Sequence, residues 1–169
     1  MPLDVAWSER LRDAIIGAAC RLLGVLCWPL TRPPRGGWPA PRRILFLKPC
    51  CMGDVLFTTP LLAAIKVAYP GSHLTVATGA WSSPVLAGNS HVNVILDIPS
   101  RIGLRDLWQW ARRMRAEGFD LALVPDRSPV YGLLVALAGI PRRAGLDSGG
   151  RGFLYTDRVP IGPDDHSMH

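Results

Sequence analysis

Residues Ile44–Gly79, "ILFLKPCCMGDVLFTTPLLAAIKVAYPGSHLTVATG", change hydrophobic period twice. The run ILFLK (Ile44–Lys48) is apolar up to its lysine, as a strand covered on both faces would be. DVLFTTPLLAAIKVAYP (Asp54–Pro70) has helical length, with Val55, Leu62, Ile65 and Tyr69 among its apolar positions. HLTVATG (His73–Gly79) is strand-like again. Together these segments form a βαβ unit. Pro60 lies inside the helical pattern, which predicts either a kink or a true helix start further along.

The alternation continues. A short helix near Ser83–Ala87 precedes a third strand, Val92–Pro99. The helix Gly103–Gly118 places Leu104, Leu107, Trp108, Ala111 and Met114 on one face. A fourth strand (Asp120–Asp126), a buried helix (Val130–Gly139) and a fifth strand (Arg142–Leu146) follow, then a Gly-rich turn and FLYTDRVP. Strands with near-continuous apolar cores separated by helices predict an α/β fold, a Rossmann-like doubly wound parallel sheet. Such sheets bind ligands at the carboxyl ends of their strands, where the turn after the first strand lies.

A chain of 169 residues suits one well-buried domain, and its 49% hydrophobic content excludes intrinsic disorder. The net charge of +6 is uneven: residues 1–43 hold seven Arg against Asp4, Glu9 and Asp13, a balance of +4. That asymmetry points to the N-terminal segment and argues against nucleic acid as a partner. Residues 1–30 read as an amphipathic, membrane-associating helix. Glu9, Arg10, Asp13, Gly17, Arg21 and Gly24 gather on one stripe, with Leu11, Ile15, Ala18, Leu22, Val25 and Leu26 opposite. The other readings of this segment are a helix packed on protein, a spanning helix or a signal. Residues 31–43, rich in Pro, Gly and Arg, read as a linker, and residues 44–160 as the folded domain. Cys20, Cys27, Cys50 and Cys51 form no CxxC pair and have no histidine at zinc-ligand spacing, which fits a reducing compartment.

The turn after the first strand is neither GxxxxGK[ST] nor GxGxxG. Two readings of its residues stay open. In one, Gly53 permits a tight turn and Asp54 caps the following helix by accepting backbone N–H bonds. In the other, Asp54 takes a proton from a substrate hydroxyl at the mouth of the sheet. A nearby helix N-terminus would keep it ionised.

The same stretch resembles the opening of the glycosyltransferase family 9 enzymes, the ADP-heptose:lipopolysaccharide heptosyltransferases, in its GD-V-L-x-T-x-P run and the YP-x-S-x-L strand after it. The likeness continues through GNSHVNVILDIP, GFDLALVPD, ALAGIPRRAGLD and FLYTDRVP. The resemblance implies the N-terminal, acceptor-binding half of a GT-B fold. Residues 161–169 would then begin the connection to a donor-binding domain that the chain does not contain. It implies metal-free, inverting transfer without a bound cofactor, from a nucleotide sugar of the ADP-heptose kind to a lipid-linked or phosphorylated saccharide. Asp54 would be the general base, and Met52, Gly53, Thr58 and Thr59 would lie against substrate. The segment VPDRSPVYG departs from the D-x-Q-G-x-x-x-S run of many members.

Acceptors of that kind carry phosphates, for which Arg101, Arg105 and Arg127, at the ends of the third and fourth strands, are the candidate forks. His73, His91, His166 and His169 show no metal spacing, and Ser128 and Ser148 have no GxSxG setting. The expectation is a cytoplasmic glycosyltransferase peripheral to the inner membrane face. The alternative is a non-catalytic Rossmann-like binding module, with a flavodoxin-like regulator a weaker third.

Overall fold

Strand β1 (Arg43–Leu47) buries Ile44, Leu45, Phe46 and Leu47 completely, which requires cover on both faces. Successive side chains of a strand point to opposite faces, so β1 contributes to two separate cores. Leu45 and Leu47 enter one core and Ile44 and Phe46 the other. The computed structural model describes residues 37–147 and 152–161, together with positions 15, 18 and 22.

The remaining strands are β2 (His73–Thr78), β3 (Val94–Asp97), β4 (Leu121–Val124), β5 (Arg142–Asp147) and β6 (Asp157–Pro160). They form one sheet in the order β3-β2-β1-β4-β5-β6, and every pairing is parallel. This is the doubly wound order with its switch point between β1 and β4.

Helices α1 (Met52–Phe57) and α2 (Thr59–Ala68), with a 3-10 turn at Ser83–Leu86, cover one face through Val55, Leu62, Ile65 and Leu86. Helices α3 (Leu104–Glu117) and α4 (Pro129–Leu137) cover the other through Leu107, Ala111, Met114, Leu134 and Val135. Trp108, expected on the buried face of α3, is instead more than half exposed. Its indole is too bulky for the flank of a stripe that Leu107, Ala111 and Met114 already fill.

The helix expected over 54–70 is two helices, and its start lies earlier. Pro60 has no N–H to give to the carbonyl of Leu56; Thr59 Oγ1 donates to that carbonyl at 2.8 Å instead. Thr58 Oγ1 donates to Val55 O at 2.7 Å, which closes α1 just before the proline. The Thr-Thr-Pro triplet thus divides the helix at Thr58, whose backbone stays helical and still gives its N–H to Asp54 O at 3.1 Å.

The β5–β6 crossover has no helix among its described residues. Arg143, buried on β5, secures it by donating to Leu154 O at 2.8 Å and Ile140 O at 2.6 Å, while Arg142 pairs with Asp157 at 3.3 Å. Burial pulls the Arg143 pKa down, and carbonyl partners compensate the loss of water.

Ile15, Ala18 and Leu22 are helical and exposed. The rest of the segment read as a membrane-associating helix, the linker up to residue 36, and residues 162–169 of the connection lie outside the described residues. Among the described residues, no helix is long and apolar enough to cross a membrane.

Candidate functional site

The chain leaves β1 at Lys48, and the loops after β1 and β4 diverge at the switch point. Lys48 is mostly buried there, between two carboxylates. Its Nζ lies 3.2 Å from Asp54 Oδ2 on α1 and 3.7 Å from Asp126 Oδ2 in the loop after β4. Asp126 is itself positioned, because its Oδ1 accepts the backbone N–H of Ser128 at 2.8 Å. Cys50 adds a thiol hydrogen bond to Asp54 Oδ2 at 3.3 Å.

Asp54 does not cap its helix. The cap position is Cys51, without a side-chain cap bond, and Asp54 lies inside the first turn. Its carboxylate therefore turns toward Lys48 and Cys50, and its contacts fall on Oδ2. Oδ1 has no hydrogen bond or ion pair among the described residues, and about half the side chain is exposed. Hydrogen bonds from Lys48 and then Cys50 hold the Asp54 carboxyl below the usual carboxylate range. Burial alone would lower the Lys48 pKa, but its hydrogen bond to Asp54 and the nearby acidic groups outweigh burial and raise it. Burial first, then the hydrogen bond with Cys51, pushes the Cys50 thiol up to about 12, so it remains a neutral donor. The site thus holds an acid kept ionised near neutral pH, with one oxygen unpaired among the described residues.

Gly53 is also within α1 and not in a tight turn; a β-carbon added there would meet nothing within 4 Å. Met52 is exposed beside it and lines the large cavity described next. Thr58 and Thr59 direct their hydroxyls to the carbonyls of Val55 and Leu56 in α1. Arg101, Arg105 and Arg127 are exposed, and none lines that cavity.

The cavity, about 930 Å³, opens at the carboxyl ends of β1, β2 and β3. Its walls are Pro49–Met52, Gly79–Ser82 and Asp97–Ser100, with Trp110 from α3. Short contacts fix these loops to one another. Ser82 Oγ donates to Cys50 O at 3.3 Å, and Tyr131 Oη donates to Ser100 O at 2.8 Å. A β-carbon on Gly79 would stand 2.9 Å from Pro49 O, so only glycine allows this approach of the β1 and β2 loops.

Ligand atoms of Cys50, Cys51 and Asp54 come within 4.8 Å of one another, close enough to hold a cation. The Lys48 ammonium on Asp54 and the neutral Cys50 thiol both oppose one. Sequence reasoning missed Lys48, Asp126, Trp81, Asp97 and Trp110. The detectable signal was a lysine and an aspartate each placed just past the end of a central strand.

No family model matches the chain. Lipopolysaccharide heptosyltransferase 2 of Salmonella typhimurium is 28% identical to it over 106 residues, 61% of this chain and 30% of that protein. The structure of E. coli ADP-heptose lps heptosyltransferase II matches with a TM-score of 0.64 at 26% identity, covering 72% of this chain and 36% of that one. A glycosyl transferase family 9 structure from Veillonella parvula matches in fold, with a TM-score of 0.63 at 21% identity over 70% and 36% of the two chains. The fold matches about a third of a GT-B heptosyltransferase, as an N-terminal half would. Within that class the chain is heptosyltransferase-like, similar to the heptosyltransferase 2 proteins in sequence and to a glycosyltransferase family 9 structure in fold. Its match spans about a third of the length of the curated relatives.

Proposed function

We propose that this chain is the acceptor-binding half of a glycosyltransferase of lipopolysaccharide or cell-envelope glycan synthesis, with Asp54 as its general base. The observation that carries the reading is the Asp54 carboxylate, kept ionised by Lys48, with one oxygen unpaired among the described residues, beside the switch-point crevice of a heptosyltransferase-like fold. The acceptor hydroxyl gives its proton to Asp54 Oδ1 as its oxygen forms a bond to the anomeric carbon of the donor. The bond from that carbon to the nucleotide diphosphate breaks on the opposite side, with its electron pair, and the configuration inverts.

A carboxylate with a lowered pKa is a weak base, so proton transfer runs late, alongside formation of the carbon–oxygen bond. The donor, a nucleotide sugar of the ADP-heptose kind, binds in a second domain. Gly53 leaves room for substrate above α1. Arg101, Arg105 and Arg127 take acceptor phosphates outside the cavity. Residues 1–30 lie in the inner face of the cytoplasmic membrane and hold the enzyme near a lipid-linked acceptor.

The test is Asp54→Asn in the complete enzyme, assayed for sugar transfer from ADP-heptose to lipopolysaccharide-core acceptors. Transfer should fall by at least about 100-fold, as expected for loss of a general base, with acceptor binding kept. Undiminished transfer would remove Asp54 from this role.

A further inference from the structure

Among the described residues, no lysine or arginine lines the cavity beside Asp54. Its ionisable groups are Asp97 and the thiols of Cys50 and Cys51, and Cys50 is a neutral donor. The other polar side chains are the hydroxyls of Ser82 and Ser100, and most of the surface is apolar. A phosphate or carboxylate entering here would lose water and meet the Asp97 carboxylate, with no cation among the described lining residues; the nearby Arg113 guanidinium is engaged on the ring of Trp110. The volume falls within the ~300–1,000 Å³ range of small-molecule clefts.

Two indoles define what fits. Trp81, 80% exposed, stands on the loop that Gly79 allows to press against Pro49. Trp110 has the Arg113 guanidinium over its ring, 5.1 Å from the centroid, which fixes one of its faces. Aromatic faces beside a carboxylate and hydroxyls suit a ring with an apolar C–H face and several O–H donors at its edge. A pyranose is such a ring.

We infer that the cavity is a subsite for an uncharged saccharide unit of the acceptor, packed against Trp81 and Trp110 and donating hydroxyls to Asp97. This rests on the transferase reading and narrows it: any acceptor phosphate stays outside this cavity. The subsite is preformed, because hydrogen bonds from Ser82 to Cys50 O and from Tyr131 to Ser100 O fix its walls. Binding therefore requires little ordering of the protein.

The test uses the full 169-residue chain with its indole N–H groups labelled for NMR, Trp81→Phe and Trp110→Phe assigning the two signals. The probes are methyl pyranosides of glucose, galactose and mannose, each paired with its 6-phosphate, at millimolar concentration. Expected is movement of the Trp81 and Trp110 signals by at least one neutral glycoside, with its phosphate binding several-fold more weakly. Asp97→Asn should weaken the neutral glycoside about tenfold, the ordinary effect of losing a hydrogen bond to a charged group. Tighter binding of the phosphates at the same indoles overturns the inference. So does cyclohexanol binding as well as the sugars, or no glycoside moving either signal.

The two readings fail separately. Asp54-dependent transfer to an acceptor whose phosphate enters this cavity would leave the transferase standing and remove the neutral subsite. Saccharide binding without any Asp54-dependent transfer would do the reverse.

Discussion

Lys48 decides the state of Asp54. With the ammonium 3.2 Å from Oδ2, the carboxylate is ionised and oriented, and Lys48 links it to Asp126 across the switch point. Lys48→Met should therefore raise the Asp54 pKa toward its ordinary value, which a carboxyl-carbon NMR titration of the two proteins would measure. No rise would show that the ion pair does not govern the acid. The pair also links stability to pH. Asp54 has a lowered folded pKa, so its contribution is present above the ordinary value of 3.8 and is lost as pH falls through the lowered one. Lys48 has a raised folded pKa, so its contribution is complete below 10.5 and lost as pH rises through the raised value. Urea midpoints of Lys48→Met against pH should accordingly be flatter in both acid and base than those of the parent. At Gly53, helical and facing open space, alanine should stabilise the fold by roughly 0.5–1 kcal/mol in a thermal melt, since it orders the unfolded chain. A fall in transfer in the same Gly53→Ala protein would mark substrate passing over that position.

The break between α1 and α2 shows how local chemistry shapes an element. Proline removes a donor, and the threonine hydroxyls before it take up the carbonyls of Val55 and Leu56. The break allows α1 to be a separate short helix, with Asp54 on its Lys48 side and Val55 in the core. At the β1 and β2 loops, Gly79→Ala should cost roughly 1–3 kcal/mol, because its β-carbon meets a backbone oxygen that cannot swing away. Denaturant unfolding would check this, and a value near zero would mean that the two loops are not pressed together. Periodicity identified the helical segments, yet it ran α1 and α2 together and put Trp108 on the buried face of α3. Helical spacing gives an angle around an axis and says nothing of how wide the facing groove is.

For the molecule as a whole, the sheet order brings the pieces together. Phe46, fully buried on the central strand, fills the core under α1 and α2, and Phe46→Ala should cost roughly 3–5 kcal/mol in urea unfolding. A much smaller loss would mean that the core collapses around the missing ring. Burial on both faces is written in the composition of β1, because every position of a central parallel strand must be apolar. For that reason the strand–helix alternation and the parallel α/β class were legible in the sequence alone. The partners of Asp54 were not. Lys48 meets Asp126 because β1 lies beside β4, and Trp81, Asp97 and Trp110 share a cavity because β2 and β3 extend the same edge. Hydrophobic period is a local property of the chain, and it determined the elements. Contacts between loops depend on which strands become neighbours, a long-range outcome that only the tertiary structure decided.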